Sequence, residues 1–109
     1  MVLDARQTDR QGPQVATVVL GEFEWDDRKA ATNLRKHGVS FEEAITALAD
    51  PAAVTAPDLY DPDRSITIGN SRLLRVLFVV HTETRRSGRV RIVSARKASA
   101  AQRKRYEKD

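Results

Sequence analysis

The run Leu73-Leu74-Arg75-Val76-Leu77-Phe78-Val79-Val80-His81-Thr82 is apolar on both of its alternating sides. Leu73, Leu77 and Val79 fall on one side of an extended chain, and Leu74, Val76, Phe78 and Val80 on the other. Such a strand needs cover above and below, so it is expected at the centre of a sheet. On either side of it, Arg64 to Asn70 and Arg89 to Ala95 share the period of two. Turn signals at Asn70-Ser71 and Ser87-Gly88 join all three as antiparallel neighbours.

One cover is expected from two helices upstream. Asp26 and Asp27 open the first, because carboxylates at a helix start accept bonds from free amides and complement the dipole. It runs from about Asp27 to Lys36 with Ala30, Ala31 and Leu34 on one side, and Lys36, His37 and Gly38 suit its C-terminal end. Ser40-Phe41-Glu42-Glu43 matches a capping box that starts a second helix, whose stripe is Phe41, Ala44, Ile45 and Leu48. Asp50-Pro51 ends it, since proline disfavours helical geometry in the residue before it. The other cover is a final helix, where Ser99-Ala100-Ala101-Gln102 repeats the capping logic before Arg103 to Lys108.

Phe23-Glu24-Trp25 alternates like a short strand, Val54-Thr55-Ala56 is a candidate for one strand more, and Val15 to Leu20 is a candidate extended stretch. Residues 1–14 have no period. Residues 1–21 are therefore expected to be a flexible leader and residues 22–109 a single domain. The fold class is α+β, in the order β-α-α-β-β-β-α, with an antiparallel sheet packed by two N-terminal helices and a C-terminal helix.

A chain of 109 residues suits one small domain that buries roughly two-thirds of its unfolded surface. Hydrophobic content of 40% beside 31% charged residues is globular. With no cysteine and two histidines the chain cannot build a closed zinc site, so zinc chemistry is excluded and no cofactor is expected. Asp58, Asp61 and Asp63 lack the glycine and closing glutamate of a calcium loop and read as turn residues. No apolar run approaches a membrane span, so a cytoplasmic protein with no membrane partner is expected. The charge is sorted along the chain. Arg85 to Asp109 carries ten basic residues against two acidic ones, net +8, while residues 1–84 are net −4. Nucleic-acid phosphate is the natural partner of such a field, and a solvated, salt-screened surface is the alternative.

Two blocks resemble the BrnT family, the toxin half of a bacterial type II toxin–antitoxin pair. The first is Phe23-Glu24-Trp25-Asp26, Lys29, Asn33, then Lys36-His37-Gly38-Val39-Ser40-Phe41 and Glu43-Ala44. The second is Arg64, Ile68-Gly69, then Arg91-Ile92-Val93-Ser94-Ala95-Arg96-Lys97-Ala98 and Tyr106. Together they span residues 23–107. The family commonly carries Glu where this chain has Gln102, a change that preserves the capping box and weakens any catalytic role there. The resemblance implies a RelE-like ribonuclease fold and RNA cleavage that stops translation. It also implies neutralisation by a cognate BrnA-type antitoxin in a hetero-oligomer, with DNA reached only indirectly through that antitoxin. The alternative is a non-catalytic module that binds nucleic acid or docks a partner.

Without a metal, the route to RNA cleavage is in-line attack of the ribose 2′-hydroxyl on the adjacent phosphate. It needs a proton acceptor, cations on the phosphorane oxygens and a donor to the departing oxygen. Arginine offers a fixed donor fork, which nominates Arg64, Arg75, Arg91 and Arg96, with Lys97 as a more mobile charge or proton donor. If the strands are regular, Arg75, Leu77, Val79 and His81 share a face, as do Arg89, Arg91 and Val93, and these groups are expected to line a common hollow. His81 is the candidate base or acid; its competing reading is an exposed strand-end histidine, and Glu83 is the substitute base. Lys36, Arg89, Arg103 and Tyr106 are expected to contact RNA, although Tyr106 serves equally as an anchor for its helix. His37 reads more simply as a helix-end residue, Trp25 and Phe41 as core, and Asn33 as bonding nearby backbone.

Overall fold

A computed structural model of the chain describes residues 16–108. In chain order the elements are β1 (Thr17–Leu20), β2 (Phe23–Asp26), α1 (Asp27–His37), α2 (Phe41–Leu48), β3 (Val54–Pro57), β4 (Ser65–Asn70), β5 (Val76–Glu83), β6 (Val90–Lys97) and α3 (Ala100–Lys108). The strands form one six-stranded sheet in the order β1-β2-β6-β5-β4-β3. The α+β class and the central place of β5 agree with the sequence reading. Two strands extend the expected order: β3, and β1, which lies inside the span read as a leader. The remainder of that leader, residues 1–15, lies outside the described residues.

The sheet is mixed, which corrects the expectation of an antiparallel one. β2 runs parallel to β6, pairing Phe23 with Val90 and Glu24 with Arg91, while the other neighbours are antiparallel. Short turns set the direction of the β4-β5-β6 meander, but β2 reaches β6 only after both helices and three strands. A pair so distant in sequence takes its direction from the crossover.

α1 and α2 cover one face. Trp25, Val39, Phe41, Ala44, Ala47, Leu77, Val79, Ile92 and Ala95 form the core between helices and sheet. Trp25 and Phe41 meet edge to face at 6.0 Å between ring centroids, as expected of core aromatics. α2 crosses β4 so closely at Gly69 that a Cβ there would lie 2.3 Å from the Ala47 carbonyl oxygen.

The α1 caps are as read. The Asp26 carboxylate accepts from the Arg28 and Lys29 amides at 2.8 and 3.2 Å, and Gly38 closes the helix at φ +68°. Its buried side differs from the reading: Ala31 and Leu34 are exposed, Ala30 is partly buried, and the buried residue is Asn33. Burial of a polar side chain at that position follows from three bonds to backbone. Asn33 Nδ2 donates to the Val39 and Ala95 carbonyls at 2.9 and 2.8 Å, and Oδ1 accepts from the Ala95 amide at 3.1 Å. The amide thus fastens α1 to β6 as a neighbouring strand would.

The α2 capping box is half formed. Ser40 Oγ accepts from the Glu43 amide at 3.0 Å, but the Glu43 carboxylate turns to Ser71 and Arg75 instead of back to Ser40. The expected central strand also begins later than read. Leu73 and Leu74 stand exposed in the Ser71–Arg75 turn, Leu74 at φ +62°, and β5 starts at Val76. α3 covers little of the second face and buries none of its own residues, so Val76, Phe78 and Val80 are only half-buried there.

Candidate functional site

Strand register decides which of the nominated cations can act together. Lys97 lies opposite Leu77 and Arg96 opposite Phe78, near the start of β5, whereas Val90 lies opposite Glu83 at its far end. Arg75, Arg96 and Lys97 therefore gather at one end of the sheet, where β6 runs into α3 and brings Arg103 with it. Arg64, Arg89 and Arg91 belong to the other end, about 15 Å away along the strands at about 3.3 Å per residue. The expected common hollow is not formed. A β-bulge is part of the reason: Val80 pairs with Ser94 and His81 with Ile92, leaving Val93 unmatched and breaking the regular alternation assumed for β6.

Carboxylates further sort the arginines. Arg75 donates through Nε to Glu43 Oε2 at 2.9 Å, through Nη2 to Glu43 Oε1, and through Nη2 to the Gly38 carbonyl at 3.0 Å. Glu43 is buried and also accepts from Ser71 Oγ at 2.7 Å. The Arg75 guanidinium draws the Glu43 carboxyl below the usual carboxylate range, outweighing burial, which acts the other way. Arg91 Nη1 donates to Glu24 Oε2 at 2.5 Å, joined by Ser87 Oγ at 3.1 Å. Burial pushes the Glu24 carboxyl up, yet those bonds prevail and leave it lowered. Arg64 makes an exposed pair with Asp61 at 3.3 Å. The aspartates of that loop serve as turn residues, with Asp58 and Asp61 accepting from the Tyr60 and Asp63 amides.

Arg96, Lys97 and Arg103 have no carboxylate within 4.0 Å among the described residues. The Arg96 guanidinium carbon sits 4.2 Å from the centre of the Phe78 ring, and Nη1 donates to Gln102 Oε1 at 3.2 Å. Gln102 Oε1 also accepts from the Ser99 amide at 2.8 Å, and Ser99 Oγ accepts from the Gln102 amide at 3.2 Å, so this capping box is complete. Helix start and guanidinium are thereby locked together. On the adjoining side Lys97 and Arg103 line a pocket of about 420 Å³ with Leu74, Arg75, Val76 and Ala98.

The remaining nominees are placed as follows. His81 Nε2 and Thr67 Oγ1 share a hydrogen bond of 2.8 Å, Thr67 bonds Thr55 at 2.7 Å, and burial lowers the imidazole pKa. It is a half-buried member of a polar chain and not an exposed strand-end residue. Tyr106 donates to Asp50 Oδ2 at 2.7 Å; Asp50 accepts also from the Asn70 and Ala52 amides. That bond raises the Tyr106 pKa and helps to lower that of Asp50, so the ring anchors α3 to the end of β4. Lys36 and His37 line a separate groove of about 290 Å³ between α1 and β6, with Arg28, Lys29, Thr32, Asn33, Val93 and Ser94. Sequence reasoning missed Phe78 as the platform for Arg96, and missed Arg28 and Lys29. The latter two carried a signal, because cations in the first turn of a helix oppose its dipole.

Comparison with known proteins adds a family to this geometry. Residues 25–102 match the model of the family described as the ribonuclease toxin BrnT of type II toxin–antitoxin systems. Among solved structures, the chain is similar to the Brucella abortus ribonuclease toxin BrnT, known from a crystal structure at 1.1 Å resolution. Identity is 30%, the TM-score is 0.57, and the alignment covers 69% of this chain and 92% of that one. No curated protein sequence matches. With a shared core spanning both helices and the β4-β5-β6 meander, the chain belongs to the BrnT family of ribonuclease toxins of type II toxin–antitoxin systems.

Proposed function

We propose that this chain is a metal-independent endoribonuclease that arrests translation and is held inactive by a cognate BrnA-type antitoxin. The observation that carries this reading is the trio Arg96, Lys97 and Arg103 at the junction of β6 and α3. These cations have no carboxylate partner among the described residues, and Arg96 is already oriented by Phe78 and Gln102. A guanidinium held by a ring and a neutral amide keeps its full charge for an anion and needs little reorganisation when charge develops on it. Arg96 binds the non-bridging oxygens of the scissile phosphate. The ribose 2′-oxygen bonds to phosphorus, its proton passing to water. The bond to the 5′-oxygen breaks, and that oxygen takes its proton from water, while Lys97 and Arg103 on the adjoining side hold the charge of the flanking phosphate. The products are a cyclic phosphate and a free 5′-hydroxyl.

Arg75 and Arg91 then serve the fold through their carboxylate partners, and Arg64 and Arg89 steer RNA from the opposite end. His81 lies three residues along β5 from Phe78, about 10 Å away, and contributes through the packing of β4 against β5. The antitoxin binds DNA and joins the toxin in a hetero-oligomer, so this chain meets DNA only indirectly. Its place is the cytoplasm, and its fold is of the RelE-like kind.

The test is incubation of the purified chain with RNA in excess EDTA. Cyclic-phosphate ends are expected from the native chain. Arg96→Ala and Lys97→Ala are each expected to lower the cleavage rate about 10²–10³-fold while retaining the native circular dichroism spectrum. Intact RNA with binding retained would instead establish the non-catalytic module, and full cleavage by both variants would remove the site assignment.

A further inference from the structure

The groove between α1 and β6 is separate from the β6–α3 junction, and its chemistry is that of a phosphate site. Lys29, Thr32, Asn33 and Lys36 recur on one side of α1, three or four residues apart. Arg28 and His37 flank them, and among the described residues no carboxylate lines the groove. Arg28, Lys29 and Lys36 have no ion-pair partner within 4.0 Å among the described residues. Two of these cations stand in the first helical turn, where the macrodipole disfavours positive charge, so the helix is not what they stabilise.

The floor is built by the end of a strand pairing. β2 leaves β6 after Glu24 and Arg91, and the bulged residue Val93 and its neighbour Ser94 line the groove just beyond. Asn33 replaces the missing strand at Ala95, bonding both its amide and its carbonyl. The result is a rigid strand edge walled by flexible cations, with Val93 as the one apolar lining residue among the described residues. An apolar anchor for a protein segment is absent from that lining. Lys29 and Lys36 lie about 10 Å apart along the helix axis at about 1.5 Å per residue, so their flexible side chains can reach separate phosphates of one extended strand.

We propose that this groove is a second RNA subsite, which holds backbone phosphates of single-stranded RNA away from the scissile bond. The inference rests on the ribonuclease reading, and it assigns to Lys29 and Lys36 binding without chemistry. The test uses the full chain and a fluorescent 2′-O-methyl oligoribonucleotide, whose blocked hydroxyl prevents cleavage, with anisotropy titrations over a series of salt concentrations. The double variant Lys29→Ala/Lys36→Ala is expected to bind more weakly, with the log–log salt slope shallower by about 1.4, or about 0.7 per phosphate lost. Arg85→Ala/Arg86→Ala, in the β5–β6 turn, removes the same charge outside the groove and is expected to change the slope much less. On cleavable RNA the groove variant should raise KM and leave kcat within about twofold, unlike Arg96→Ala. Equal slopes for the two double variants would reduce the groove to part of a general field and overturn the proposal. So would a fluorescent polyglutamate peptide that binds the native chain more tightly than the oligonucleotide and loses that binding in the groove variant. Loss of turnover in the native chain with the groove effect intact would defeat the ribonuclease reading alone.

Discussion

At the scale of single residues, the arginines of this chain divide by what neutralises them. Arg75 faces the buried Glu43, and removing one partner of such a pair leaves an uncompensated charge in a dry site. Arg75→Ala is therefore expected to cost about 3–5 kcal/mol, read as a lower urea midpoint, and to lose activity through unfolding. Arg96→Ala gives up a half-exposed contact with Phe78 and is expected to change stability by about 1 kcal/mol or less. Equal midpoints for the two variants would show that the Glu43 pair contributes little. His81 gives a pH-dependent prediction with a definite sign. Burial lowers its folded pKa, so below its unfolded value of about 6.5 the unfolded chain takes up a proton that the folded one refuses. Stability is full above that pH and declines as pH falls towards the folded value. Replacing His81 by Gln, which retains a bond to Thr67, should remove the slope that sets in below about pH 6.5 in urea titrations. An unchanged slope would place its origin elsewhere.

At the scale of elements, the helices were legible because their ends are local chemistry. Asp26, Gly38 and the Ser99 to Gln102 box each act within four residues of chain and cap as read, and Ser40 caps α2 without the expected return bond from Glu43. The faces were less legible. An apolar count placed Ala31 and Leu34 inward, whereas α1 buries Asn33, because its partners Val39 and Ala95 come from other elements. Asn33→Ala should leave the Ala95 amide and two carbonyls unpaired. Each unsatisfied buried group costs about 1–3 kcal/mol, so this change is expected to exceed the cost of Leu34→Ala at the exposed position. Hydrogen exchange supplies a second check, with the Ala95 amide exchanging faster in the variant and the β4–β5 amides unchanged. Equal destabilisation by both substitutions would mean that the Asn33 bonds do not hold α1 to the sheet.

At the scale of the whole molecule, three carboxylates among the described residues act as clasps between distant elements. Glu24 joins β2 to β6, Glu43 joins α2 to the start of β5, and Asp50 joins the end of α2 to β4 and α3. All three have lowered pKa values in the folded chain. Their stabilisation is present above the unfolded values of about 4 and is lost as pH falls through the folded ones. Urea titrations should show stability falling steeply below about pH 4.5, and Glu24→Gln/Glu43→Gln should flatten that fall; constant stability down to pH 3 would contradict the clasp role. By itself the sequence determined the α+β class, the helix ends, the central apolar strand and the sorting of charge towards the C-terminal quarter. All of these follow from residues adjacent in the chain or repeating with a fixed period. Which cations lack a carboxylate partner among the described residues is settled by the folded sheet alone. Arg75 meets its carboxylate across 32 positions and Arg91 across 67, and a single bulged residue reverses the alternation of β6. Electrostatic neutralisation depends on distance in space, and that distance exists only once the sheet has closed the chain upon itself.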